Sequence, residues 1–167
     1  FRSAPPAQYQ PPARLNDGGF APPQPDVAQA ALGIPEQMVV GHPSLVEIQF
    51  AATEFLGAPP TGRPGAPPSR ARPLRAISVR LKDESGAFTL ESETPETLWL
   101  DAGQPGAHMG TLNWSFAVTP RRRGTHRLGL VVTTRAIGPG GLISEPPIPV
   151  QAVDVRARRD RRAMAGR

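Results

Sequence analysis

Proline decides where this chain can hold regular structure, because its ring fixes φ and removes the backbone donor that a helix or a strand ladder needs. The sequence has 22 prolines, and they crowd into two segments. Residues 1–33 alternate Pro5-Pro6, Pro11-Pro12 and Pro22-Pro23 with Ala and Gln; residues 57–73 hold Pro59-Pro60, Pro64, Pro67-Pro68 and Pro73. The first segment reads as an extended arm. Within it, Asp26 to Leu32 has the signals of one or two helical turns, with Asp26 as N-cap and Gly33 as stop. The second reads as a long exposed loop.

Outside these segments the apolar residues recur with a period of two, the mark of half-buried strands. Val46, Ile48 and Phe50 share one face of Leu45 to Ala52. Ile77, Val79 and Leu81 do the same between Arg75 and Lys82, and Asp83 to Gly86 follows as a turn. Thr111 to Thr119 alternates most regularly, with Leu112, Trp114, Phe116 and Val118 on one side. His126 to Ala136 returns with Leu128, Leu130 and Val132. Shorter strands are expected at Pro35 to Gly41, Ala87 to Glu91, Thr97 to Asp101 and Ile148 to Val155. The apolar parity changes between Val150 and Val153, which suggests a β-bulge. No amphipathic helix competes. The expected fold is all-β: an immunoglobulin-like antiparallel β-sandwich of seven or eight strands over residues 34–156. The arm over 1–33 precedes it and an Arg-rich tail over 157–167 follows. Trp99, Trp114, Phe50, Phe88 and Phe116 are expected to carry much of the core, because aromatics make up only 5% of the chain.

One pattern within this domain is familiar. Trp114-Ser-Phe116-Ala-Val118-Thr-Pro120, then three arginines and Gly124, then Leu128-Gly-Leu130 and a closing Ile148 to Val155, resembles a β-sandwich segment of bacterial multidomain proteins. That segment reads Trp-x-Trp-x-Val-x-Pro, a Gly turn and a strand of alternating Leu. Pro35 to Met38, Val40-Gly41 and Leu45 to Phe50 resemble its opening. Phe116 stands where the second Trp would be, and no membrane helix follows. The resemblance implies the fold and a setting beside membrane helices or signalling modules; it implies no activity.

Chemistry-bearing residues are sparse. The chain has no cysteine, which excludes disulfides and thiolate metal sites. His42, His108 and His126 are scattered without the spacing of metal ligands. Asp83, Glu84, Glu91, Glu93, Glu96 and Asp101 fall on strand ends and loops, without a glycine-anchored cation loop. Ser44 lacks the context of an activated nucleophile. Gly138 to Gly141 reads as a hairpin turn rather than a phosphate cradle. No catalytic, cofactor-binding or metal-ligating residue is therefore expected, and the chain reads as a protein other than an enzyme.

Binding is the remaining class. The net charge is +5, and Lys82 is the one lysine among 19 Lys and Arg. Arg121, Arg122 and Arg123 occupy a hairpin tip; Arg158, Arg159, Arg161 and Arg162 crowd the C-terminal tail. Together they would form one basic end of the sandwich, with guanidinium forks suited to phosphate or carboxylate. Alternatively the tip is a solvated turn. Trp99 lies in Leu98-Trp99-Leu100, which puts apolar groups on both faces of a strand, so one face is expected to meet another chain. Tyr9, Leu15 and Phe20 are the anchors by which the arm would lie along a neighbour. The expected role is a structural or interaction subunit of a bacterial membrane or cell-envelope assembly, with other protein subunits as partners and an anionic membrane surface as a further one. The alternative is an arginine-rich protein associated with nucleic acid. It is weakened because no aromatics interleave with the arginines to stack on bases.

Overall fold

A computed structural model describes residues 24–57, 74–104, 106–138, 140–145 and 147–162. Among them, nine strands form two facing sheets. They are β1 (Gln37–Val39), β2 (Ser44–Ala51), β3 (Leu74–Asp83), β4 (Phe88–Ser92), β5 (Thr97–Asp101), β6 (Thr111–Pro120), β7 (Gly124–Gly138), β8 (Gly141–Ser144) and β9 (Gln151–Arg158). The larger sheet has the order β1-β9-β7-β3-β5, with β8 also on β7; the smaller has the order β2-β6-β4. The sandwich is the one the alternation predicts. The extra strand is the short β8, which pairs with the end of β7 across the expected hairpin turn. One pair departs from the antiparallel pattern: β1 runs parallel to β9, with Met38 opposite Ala157.

The period of two places the core. Val46 lies opposite Phe116 and Ile48 opposite Trp114 in the β2–β6 register, and these four are buried together with Phe50 and Val118. Ile77 and Val79 of β3, with Leu128, Leu130 and Val132 of β7, close the core from the larger sheet. Each such side chain contributes about 1.5–3 kcal/mol on removal from water. The indole N–H of Trp114 donates to the carbonyl of Glu96 at 3.0 Å, so the largest buried side chain leaves no donor unpaired.

Four expectations need correction. Trp99 is not a core residue; it is 56% exposed. The aromatic that joins the core instead is Phe55, from a one-turn helix, α2 (Thr53–Leu56), whose ring meets Phe50 edge-on at 5.2 Å. Second, no bulge is needed near Val150. The strand starts at Gln151, Val150 lies before it and is exposed, and Val153, Val155 and Ala157 then keep one parity. Third, Ala157 and Arg158 belong to this strand rather than to a tail. Ala157 is buried, and the Arg158 carbonyl accepts the N–H of Val40 at 2.8 Å. Fourth, the sandwich begins before Ile34. The helix α1 (Val27–Ala31), capped by Asp26 through the N–H of Gln29 at 2.9 Å, buries Val27, Ala30 and Ala31 against the core. It closes the side of the sandwich beside β2, where the smaller sheet has no further strand. The backbone there is so close that a Cβ on Gly33 would lie 2.1 Å from the Glu47 carbonyl oxygen.

Candidate functional site

The chain reversals gather at two ends, and the two differ in charge. At one end lie the turn 40–43, the loop 84–87, the tip Arg121 to Arg123 and residues 159–162, because β6 ends at Pro120, β7 begins at Gly124 opposite Ala157, and β3 ends at Asp83. The expected basic end is therefore assembled: Arg121, Arg122, Arg123, Arg158, Arg159, Arg161 and Arg162 all stand exposed there, joined by Arg156 on the outward parity of β9. Val39, Arg123, Gly124, Arg156, Ala157, Arg158, Arg159, Asp160 and Arg161 line an open groove of about 830 Å³.

The arginines at this end have different tasks. Arg122 donates to the carbonyl of Ser85 and so clamps the tip to the loop 84–87. That loop is itself built on Asp83, whose carboxylate accepts from the N–H of Ser85 at 3.0 Å, the Ser85 hydroxyl at 2.7 Å and the N–H of Phe88 at 2.8 Å. Burial pushes the Asp83 carboxyl up, but these donors and the Ala87 N–H outweigh it and hold the pKa below 3.8. His126 reaches the carbonyl of Arg123 at 3.0 Å and packs edge-on against Phe88. Among the described residues, Arg121, Arg123, Arg156, Arg158, Arg159, Arg161 and Arg162 make no ion pair.

Toward the opposite end, one arginine is neutralised. Arg75 and Glu145 pair at 3.2 Å with side chains only 16% and 9% exposed. Arg75 also donates to the carbonyl of Phe55 at 2.6 Å, and the Thr134 hydroxyl donates to Glu145. The pair thus braces the larger sheet to α2, which continues from β2 of the smaller one.

The outer face of the larger sheet carries the third feature. In register, Leu74, Ile137 and Leu142 form one row, and Trp99, Ala76 and Arg135 the next. Leu74, Trp99, Ile137 and Leu142 are exposed. Within the Leu98-Trp99-Leu100 run Trp99 faces outward, while Leu98 and Leu100 pack against the core. Leu142 was missed by sequence reading, because β8 is too short for its alternation to show.

The remaining candidates disperse. Glu96 pairs with Arg80 at 2.8 Å, Glu84 with Lys82 at 3.2 Å, and Asp101 accepts the N–H of Gly103. Among the described residues no group of three or more His, Cys, Asp or Glu converges as metal ligands would, and no helix is long and apolar enough to cross a membrane. Tyr9, Leu15 and Phe20 lie outside the described residues.

No family model matches the sequence, and no curated protein does. Among solved structures, SSP-19 of Caenorhabditis elegans, an MSP-domain protein like family member, is similar at 9% identity and a TM-score of 0.36, over 71% of this chain and 90% of that one. WR4, a C. elegans MSP family member, is similar at 9% identity and a TM-score of 0.34, over 74% and 94%.

Proposed function

We propose that this chain is a non-catalytic interaction module that docks on another protein through the outer face of its larger sheet. The observation that carries the reading is Trp99, exposed on the edge strand β5 in one apolar patch with Leu74, Ile137 and Leu142. An exposed indole supplies a large contact area at low entropic cost, which is why Trp recurs at the centres of interfaces. Arg135 sits in the same row, with no ion pair among the described residues. The fitting partner is a protein surface with apolar side chains and a carboxylate opposite Arg135. The setting suggested by the sequence resemblance is a bacterial membrane or cell-envelope assembly, with Tyr9, Leu15 and Phe20 of the arm as a second contact.

The test uses the full chain cross-linked and purified from its native source. Trp99→Ser and Arg135→Glu should each remove a partner that the wild type retains, without moving the unfolding midpoint. In the retained complex, amide exchange should slow over residues 97–101 and 135–142. A partner kept by both variants, or protection confined to another face, would overturn the proposal.

A further inference from the structure

The outward side chains along β9 change character after Asp154. Asp154 is neutralised by Arg127, its partner in register across β7, at 3.4 Å. One row further on, Arg156 stands between Thr125 and Gln37. In the next row Arg158 lies beside Val39, and on its other side the register Gly124 to Ala157 brings in Arg123. Arg159 and Arg161 complete the groove. Its one carboxylate, Asp160, is already engaged by the N–H of Arg162 at 2.8 Å and by His42 at 3.8 Å. Arg156 and Arg158 lie two residues apart on one face of β9 and Arg123 lies beside them, so their like charges repel, and arginine cannot relieve the repulsion by losing its proton. The groove is therefore a concentration of fixed positive charge that folding itself does not require.

We propose that this groove binds a small, multiply charged phosphate anion, an oligophosphate. Guanidinium forks match phosphate oxygens two at a time, and several forks around one concavity select for several linked phosphates. The groove is open to solvent along its length, so a flexible anion can lie in it with its charges spread over several arginines. Gly124, at φ +114°, leaves part of the wall without a side chain, so the ligand meets backbone and guanidinium there. The lining holds no aromatic ring on which a base could stack. Its apolar residues are only Val39 and Ala157, so it offers no large side chain to insert into a bilayer. The arginines also converge on one groove instead of following the track that a nucleic-acid backbone would need.

Isothermal titration of the full chain with inorganic tripolyphosphate tests this at two salt concentrations. Saturable binding to one site is expected, weakening as salt rises. Arg123→Ala combined with Arg158→Ala should weaken it at least about tenfold, which corresponds to about 1.4 kcal/mol. Arg158→Lys should lose part of the affinity, since an ammonium keeps the charge but not the fork. Arg80→Ala, whose guanidinium pairs with Glu96 elsewhere, should bind like the wild type. Circular dichroism confirms that each variant is folded. An unchanged affinity in the double variant overturns the proposal, and so does sulfate binding as tightly as tripolyphosphate. Tighter binding to a DNA duplex or to phosphatidylserine vesicles than to tripolyphosphate also overturns it, and assigns the groove to that macromolecule.

Discussion

The two ends of the sandwich treat arginine in opposite ways. At one, the half-buried Arg75 pairs with Glu145 and donates to the Phe55 carbonyl, and Glu145 also accepts from the Thr134 hydroxyl. At the other, Arg123, Arg156, Arg158, Arg159 and Arg161 share one groove with a single carboxylate that is already engaged. Arg75 is structural because the chain supplies its counter-charge, whereas the groove arginines are left available because it does not. The closed end should therefore govern stability, and the groove arginines of the open end should be almost silent in unfolding experiments.

The largest effect expected at the closed side comes from α1, which starts beside α2 through the bond from the Asp26 N–H to Glu54. Deleting residues 1–33 removes Val27, Ala30 and Ala31 from the core and should destabilise the sandwich by about 4 kcal/mol in urea unfolding. An unchanged midpoint would return α1 to the arm. Next comes the enclosed ion pair. Glu145→Ala leaves Arg75 buried without its counter-charge and should cost about 3 kcal/mol, whereas Arg75→Met with Glu145→Leu should recover most of that loss. If the single and double variants are equally unstable, burial of the charge is not what matters there.

The open end contributes less. Asp83→Asn should cost about 1 kcal/mol at neutral pH, by weakening the bonds that hold the loop 84–87. Because the folded pKa of Asp83 is depressed, its contribution is complete above the unfolded value of about 3.9 and disappears as pH falls through the lower folded one. Wild type and variant should thus converge only in strong acid, as unfolding at a series of pH values will show. Smallest of all, Arg158→Ala should shift stability by no more than about 0.5 kcal/mol, in the stabilising direction. Added salt, which screens the repulsion it relieves, should stabilise the wild type more than the variant. A clear loss of stability in that variant would mean that the groove arginines hold the fold, and the contrast between the ends would fail.

Much of this architecture was legible because side-chain parity in a strand is local. Val46 to Phe50, Ile77 to Leu81, Trp114 to Val118 and Leu128 to Val132 each announce a buried face within a few residues. What was illegible depends on distant partners. Alanines at 30 and 31 give no amphipathic signal, yet they are buried because the smaller sheet ends at β2. Ala157-Arg158 looks like the start of a charged tail until β1 is known to lie beside it. Trp99 reads as core by composition, and only the pairing of β5 with β3 at the sheet's edge turns it outward. The basic end was anticipated as a meeting of two arginine clusters. Their assignment to distinct tasks, Arg122 to the Ser85 carbonyl and Arg123 to the groove, depends on side-chain positions that no spacing encodes.

The parallel pairing of β1 with β9 also sets an order of events during synthesis. Gln37 to Val39 leaves the ribosome long before its hydrogen-bonding neighbour, Arg156 to Arg158. Loop closure over so long a span is slow, and an unpaired edge that waits is exposed to wrong pairings. The smaller sheet can assemble once Pro120 has emerged, since β2, β4 and β6 are all complete by then. The larger sheet must wait for its last strand. The groove lined by Arg123 and Arg158 consequently comes into existence only after β9 has been translated and paired.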